Sequence, residues 1–282
     1  MSDQSDKPGT SETAPDTSVA AKEKTFANLH YPGMRADPNE GRETMHANAR
    51  WRFAPQIACI GEEAQKKLLM SSVFVATASP LGVAIAKKFI QGGFGRVGVF
   101  GDEVLSGACA LEFPEDNRST ATLPALAAWA RKHAPWVEFE TFREASVDRS
   151  LSDMARGFAL VVSAGCAQIA GQAVSVARET GMPAMAAYVT GRQGWCASIG
   201  ANTVCEDCLA VPDLGEPESP GLYYPLLDFA ATWISALAID SVLGHTSRSA
   251  FVESIDATRS PWLRDTREAA PRPGCLKCSP AK

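Results

Sequence analysis

Hydrophobic positions along the chain change period several times, and each change marks an element. Ile60, Ala64 and Leu68 recur at helical spacing through Gly61–Leu69. Val73 to Ala78 is a short apolar run rich in β-branched residues, which predicts a strand. A helical pattern follows over Pro80–Gln91, with Leu81, Ala84, Ile85 and Phe89 on its inner side, and GGFG ends it. RVGVF (96–100) reads as the next strand and Leu123–His133 as another helix, halted by Pro135. VEFETF alternates like a strand, FALVVSAG (158–165) is a fully apolar one, 167–179 is helical and PAMAAYV (183–189) is a further strand. Strands alternating with helices of about ten residues predict an α/β fold with a doubly wound, mostly parallel, Rossmann-like sheet. PLLDFAATWISALAIDSVLG (225–244) predicts a long apolar helix closed by Gly244 as its C-cap. Such a helix belongs to a core, and part of its surface also suits a dimer interface. No internal repeat is visible.

Composition narrows the function classes. The 282 residues are enough for one large α/β domain or two small ones, and 45% apolar with 21% charged is ordinary for a globular protein. A net charge of −5 argues against a nucleic-acid partner, which needs a basic face. No apolar run looks long enough for a membrane helix and the N-terminus has no signal-peptide core, so the expected location is cytoplasmic, without membrane contact. Residues 1–24 hold Ser, Thr, Asp, Lys and Pro with almost nothing to bury, and read as a disordered tail. Residues 25–49 read as an N-terminal arm offering Phe26, Leu29, Tyr31 and Met34, and 50–282 as the folded domain.

Eight cysteines in such a chain point to a metal or to buried thiols before disulfides. Cys59, Cys109, Cys166 and Cys196 stand singly in apolar or small-residue surroundings. Each reads first as a buried inert thiol, with a reactive nucleophile as the other reading, strongest for Cys196 or Cys166. The remaining four form two C-x-x-C pairs, Cys205–Cys208 and Cys275–Cys278. Four thiolates suit a tetrahedral zinc ion, and a two-residue spacing lets both sulfurs of a pair reach one ion. Residues 209–274 separate the pairs, so the metal would clip the C-terminal segment onto the body. A closed four-cysteine site has no open position, which makes the zinc structural. A pair of redox dithiols is the alternative, although neither pair sits at the strand-to-helix start where thioredoxin-like chemistry is found.

VFVATASPLG (73–82) has the form of a nucleotide-binding strand–turn–helix without its glycines. In the spacing G-x-G-x-x-G, Thr77 and Ser79 hold the first two places and only Gly82 remains. A β-carbon at Thr77 obstructs close backbone approach, and Pro80 removes an N–H donor. Ser79 and Pro80 nonetheless make a good N-cap and first helical residue. The pattern keeps the fold and thins the anion cradle.

With zinc pairs and sheet in place, the chain resembles the MoeB/ThiF/HesA family, bacterial relatives of ubiquitin-activating enzymes. RWRFAPQIACIGEEAQKKLLMSSVFV looks like that family's entry pattern, R-Y-x-R-Q followed by I-G-x-x-G-Q-x-K-L and a strand. GGFGRVGVFGDE resembles the segment leading to its ribose acid. VCEDCL and GCLKC match its two knuckles, and VLG followed by FVESIDATRSPW matches its closing helix, strand and tryptophan. Coverage runs from about Arg50 to Cys278.

The resemblance implies ATP- and magnesium-dependent adenylation of the C-terminal carboxylate of a ubiquitin-like carrier or a peptide, usually by a dimer. It also implies polar residues that are missing here. The ribose acid aligns with Gly101, with Asp102 one place late. The first arginine falls at Pro55, leaving Arg52 three residues earlier, and the second has only Arg118 as a late candidate. The lysine falls near Thr122, and the magnesium-binding aspartate at Gly165. Thr77, Ser79, Gly82 and Asp102 are what remains of a degenerate nucleotide site, which speaks against ATP and magnesium as cofactors. The expectation is a catalytically inactive subunit that binds or scaffolds a partner adenylating enzyme, a ubiquitin-like carrier or a substrate peptide. Its partner would be a second copy or an active family paralogue. The alternative is a divergent adenylyltransferase with a rebuilt site.

Overall fold

The computed structural model describes residues 47–101, 113, 122–143, 150–165, 169–200, 204–212, 214, 221–245 and 250–278. The expectations for the tail, for most of the arm, and for Asp102, Cys109, Arg118 and Cys166 lie outside them.

Three short helices, α1 (Ala47–Arg52), α2 (Ala54–Ile60) and α3 (Glu62–Leu69), lead into β1 (Ser72–Val75). Then follow α4 (Pro80–Gly92), β2 (Arg96–Phe100), α5 (Thr122–His133), β3 (Glu138–Phe142), α6 (Leu151–Ala155), β4 (Leu160–Ala164), α7 (Ile169–Thr180) and β5 (Ala184–Thr190). The chain closes with β6 (Gln193–Ile199), α8 (Glu206–Leu209), α9 (Tyr224–Leu243), β7 (Ala250–Asp256) and β8 (Leu263–Ala269).

All eight strands form one sheet in the order β3-β2-β1-β4-β5-β6-β7-β8. The pairings from β3 to β5 are parallel and those from β5 to β8 antiparallel. The predicted doubly wound sheet is therefore present, extended by three antiparallel strands. Strand order reverses between β1 and β4, the place where open α/β sheets leave a crevice beyond the carboxyl ends of their strands. β1, β4 and β5 and the middle of β2 are apolar on both faces because helices cover both, whereas the edge strand β3 alternates. On one side α4, α5 and α9 enclose Val73, Phe89, Val97 and Ile234; on the other, α6 and α7 enclose Phe74, Phe158, Val161 and Trp195.

Helix α9 is long and apolar enough by composition to cross a membrane, with a mean hydropathy of 1.6 over its best 18-residue window. It departs here from the expectation that no run reaches that length. Its apolarity has a local cause: Leu226, Leu227, Ala230, Ala231, Ile234 and Ala238 are buried against the sheet and α4. Gly244 closes it in the left-handed conformation, as its sequence predicts.

Two other local expectations are corrected. In α3 Leu68 is buried as expected and Ile60, at the end of α2, packs on the same core, but Ala64 is only half-buried and Gln65 and Leu69 are buried instead. Cys59 is exposed, because α2 turns Ile57 inward beside Phe53 and leaves its cysteine in solvent.

Candidate functional site

Two features lie where function is expected, the turn after β1 and the four cysteines. The turn leaves β1 at Val75, and Ser79 caps α4 with Pro80 in its first turn. The side chains that replace glycine occupy the donors that would face an anion. Thr77 Oγ1 accepts from the Ser79 N–H (3.1 Å), and Ser79 Oγ accepts from the Gly82 N–H (3.2 Å). Ser79 Oγ also donates to the Ala164 carbonyl at the end of β4 (3.1 Å), so the turn is tied across the switch point. Gly82 persists for a packing reason, since a β-carbon there would run into the Thr77 backbone carbonyl.

The neighbouring strand ends close on the same turn. Gly165 follows β4 with φ +123°, and a β-carbon on it would lie 2.5 Å from Ser79 Oγ and 2.7 Å from Ser79 Cβ. Gly101 follows β2 with φ +147°, and a β-carbon there would lie 2.7 Å from Ala78 Cβ. These are the two positions that the family resemblance assigns to the magnesium aspartate and the ribose acid. Neither has room for a side chain while Ala78 and Ser79 stand opposite. Thr122, in the lysine's place, opens α5 fully buried. Arg52 lies over the Trp136 ring at 4.2 Å, just before β3 begins. That is the amino end of the parallel strands, the far side of the sheet from the turn.

Cys196 is buried on β6 and burial pushes its thiol up to about 12. A neutral thiol sealed from solvent is no nucleophile, so the inert reading holds for Cys196.

The two C-x-x-C pairs come together despite their separation in sequence. The sulfurs of Cys205, Cys208, Cys275 and Cys278 all lie within 4.8 Å of one another. A tetrahedron of sulfurs about 2.3 Å from a zinc ion has edges of about 3.8 Å, and Cys205 Sγ to Cys275 Sγ is 3.6 Å. Cys205 is the N-cap of α8 and Cys208 lies in the same single turn, so one element aims both sulfurs. Backbone N–H groups point at the cluster: Arg272 donates to Cys208 Sγ (3.2 Å) and Cys205 to Cys278 Sγ (3.1 Å). The N–H of Cys278, with the Cys208 thiol, holds Cys275 down to about 7. Such donors favour the thiolate, the form that binds metal, against the burial that pushes Cys278 up to about 12.

Further contacts lash the two knuckles together. Lys277 bridges Glu206 (2.8 Å) and Asp207 (3.0 Å), Arg178 of α7 donates to the Lys277 carbonyl (2.7 Å), and Arg267 of β8 donates to the Leu209 and Ala210 carbonyls. The cluster could hold one metal ion, its donor set fits zinc, and four protein ligands leave no position for a substrate.

The family model for the ThiF family matches residues 53–277, the span that carries both the turn and the cysteines. The chain belongs to the ThiF family. Among solved structures it is similar to E. coli MccB with MccA-N7isoASN, at 11% identity and a TM-score of 0.66, covering 94% of this chain and 82% of that one. It is also similar to E. coli MccB with ATP (13% identity, TM-score 0.64, 86% and 77% covered) and to PaaA (12% identity, TM-score 0.66, 90% and 88% covered). No curated protein matches at the sequence level. At these identities the likeness is one of fold: this ThiF-family chain shares the architecture of MccB and PaaA.

Proposed function

We propose that this ThiF-family chain is a catalytically inactive subunit that binds or scaffolds a partner adenylating enzyme, a ubiquitin-like carrier or a peptide substrate, with a structural zinc in its four-cysteine site. The observation that carries the proposal is the closed turn. Thr77 and Ser79 occupy the Ser79 and Gly82 N–H groups, and Ser79 fills the space beside Gly165 where a metal-binding carboxylate would stand. Adenylyl transfer depends on electrostatic stabilisation by phosphate-binding donors, cations and a metal ion, and a site without them loses many powers of ten in rate. What the chain keeps is the frame: switch-point sheet, apolar α9 and cysteine clip. A frame kept without its chemistry suits a binding role. MccB has been solved with MccA, which supports a peptide or an extended carrier tail as the bound class.

The test is ATP–pyrophosphate exchange by the purified protein, alone and with candidate carriers, beside calorimetry with ATP and magnesium. The expected outcome is exchange at background and no binding in the micromolar range. Clear exchange that disappears in Asp102→Ala or Arg118→Ala would replace the proposal with the divergent adenylyltransferase reading. Co-expression with an active family member should then show whether this chain is retained in its complex.

A further inference from the structure

We infer that the four-cysteine cluster is also an oxidation site: a peroxide converts Cys275 to its sulfenic acid and Cys205 closes on it, so that a disulfide replaces the metal as the clip between the two knuckles. The inference rests on the zinc reading of the cluster and on nothing at the nucleotide turn.

The two knuckles differ in access. Cys205 and Cys208 are buried, at 1% and 6% exposure, whereas Cys275 and Cys278 are half-buried and the intervening Leu276 is 92% exposed. A small oxidant therefore meets the second knuckle first. Cys275 Sγ lies 3.6 Å from Cys205 Sγ, so the first sulfur to be oxidised already touches a thiol of the other pair. Contacts that involve no cysteine side chain keep the knuckles adjacent when the metal goes. Lys277 holds Glu206 and Asp207, Arg178 of α7 holds the Lys277 carbonyl, and Arg267 of β8 holds the carbonyls of Leu209 and Ala210. Each tie is weak singly, but together they approach the cluster from α7, α8 and β8.

The chemistry closes on these two residues and one oxidant. The Cys275 thiolate attacks hydrogen peroxide, an S–O bond forms as the O–O bond breaks, and hydroxide leaves. The Cys205 thiolate then attacks the Cys275 sulfur, the S–S bond forms and a second hydroxide leaves. Two thiolates have lost two electrons to one peroxide. Cys208 and Cys278 remain as the other two ligands, and two sulfurs are too few for a site that holds zinc with four. Which sulfurs join decides the outcome. A bond within a pair, 205 to 208 or 275 to 278, would free the C-terminal segment. A bond from 205 to 275 closes the long loop that the metal closes, and restricts the unfolded chain in the same way.

The test uses the full chain with Cys59→Ser, which removes an exposed thiol outside the cluster. Zinc is measured first, and both metal-loaded and chelated protein are then treated with hydrogen peroxide. A chromophoric chelator follows zinc release, and non-reducing peptide mapping after thiol blocking reports the linkage. The loaded protein should lose its zinc as a Cys205–Cys275 link appears, and dithiothreitol with added zinc should reverse both. Chelated, reduced protein should melt lower than the loaded form by on the order of 10 °C, and the oxidised protein should recover most of that difference. A chain that carries no zinc fails the metal reading, while the mapping of the chelated sample still shows which sulfurs join. Disulfides confined to the pairs, four free thiols after a large excess of peroxide, or an oxidised protein that melts like the chelated one would each overturn the inference.

Discussion

Cys208→Ser will release one zinc ion per chain and lower the melting temperature by on the order of 10 °C. The expectation follows from what the cluster joins. Cys205 and Cys208 belong to α8, Cys275 and Cys278 to the segment after β8, and a metal held by all four closes a loop of roughly 66 residues. Treated as a cross-link, such a loop contributes roughly 4 kcal/mol by restricting the unfolded chain. The remaining ties between the knuckles are exposed ion pairs and single hydrogen bonds, such as Lys277 with Glu206, which add little on their own. Loss of one thiolate also leaves three crowded sulfurs without the ion that neutralises them. Metal content by mass spectrometry and a thermal melt check the result, with Cys59→Ser as the control that should keep both metal and stability, since Cys59 is exposed and outside the cluster. A Cys208→Ser protein with full zinc and an unchanged melt would falsify the assignment.

The parallel half of the fold was readable because burial on both faces writes continuous apolar runs, as in RVGVF and FALVVSAG, and helices between them keep their period. Of the antiparallel extension only β7 was legible, as the strand in FVESIDATRSPW that the family resemblance marks; β6 and β8 were not. In β6, QGWCASI, glycine and small residues carry no alternation, because β5 and β7 flank it and helices cover its faces; Trp195, Cys196 and Ala197 are all fully buried. The signal available was the two-residue hairpin Gly191–Arg192, with Thr190 opposite Gln193 and Gly191 at φ +53°. β8 has no apolar side at all and looks like a loop until its pairing with β7 is seen. The cysteines were readable from spacing, because the chemistry of a tetrathiolate site prescribes it. The thinned cradle at Thr77 and Ser79 was readable from the missing glycines. The Ser79 cap of α4 was legible as well, from a serine placed before Pro80; that Ser79 also reaches the Ala164 carbonyl and abuts Gly165 rests on contacts between the turn and the end of β4 that no local pattern records.

Gly165→Asp, the change that would restore a magnesium ligand, will destabilise the protein, and Ser79→Gly will recover part of the loss. Position 165 sits at φ +123°, a conformation that costs a non-glycine residue about 1–3 kcal/mol. Its new β-carbon would also lie 2.5 Å from Ser79 Oγ and 2.7 Å from Ser79 Cβ, an overpacking that costs about 1–3 kcal/mol more. The single variant should therefore lose roughly 2–5 kcal/mol. Ser79→Gly alone removes the cap of α4 and the bond to the Ala164 carbonyl, but glycine at an N-cap costs only a few tenths of a kcal/mol in helix stability. In the double variant the steric component disappears and the backbone strain remains, so the two changes should couple favourably by about 1–2 kcal/mol. Denaturant melts of the four proteins give that coupling directly. Neither variant should acquire ATP–pyrophosphate exchange, because an aspartate at 165 leaves the phosphate cradle without its glycines and the positions of Pro55 and Thr122 without cations. The coupling explains why a single substitution cannot reopen the site: the carboxylate has no space until Ser79 gives way. A Gly165→Asp protein as stable as the parent, or strictly additive losses in the double variant, would show that Ser79 does not close the turn against position 165.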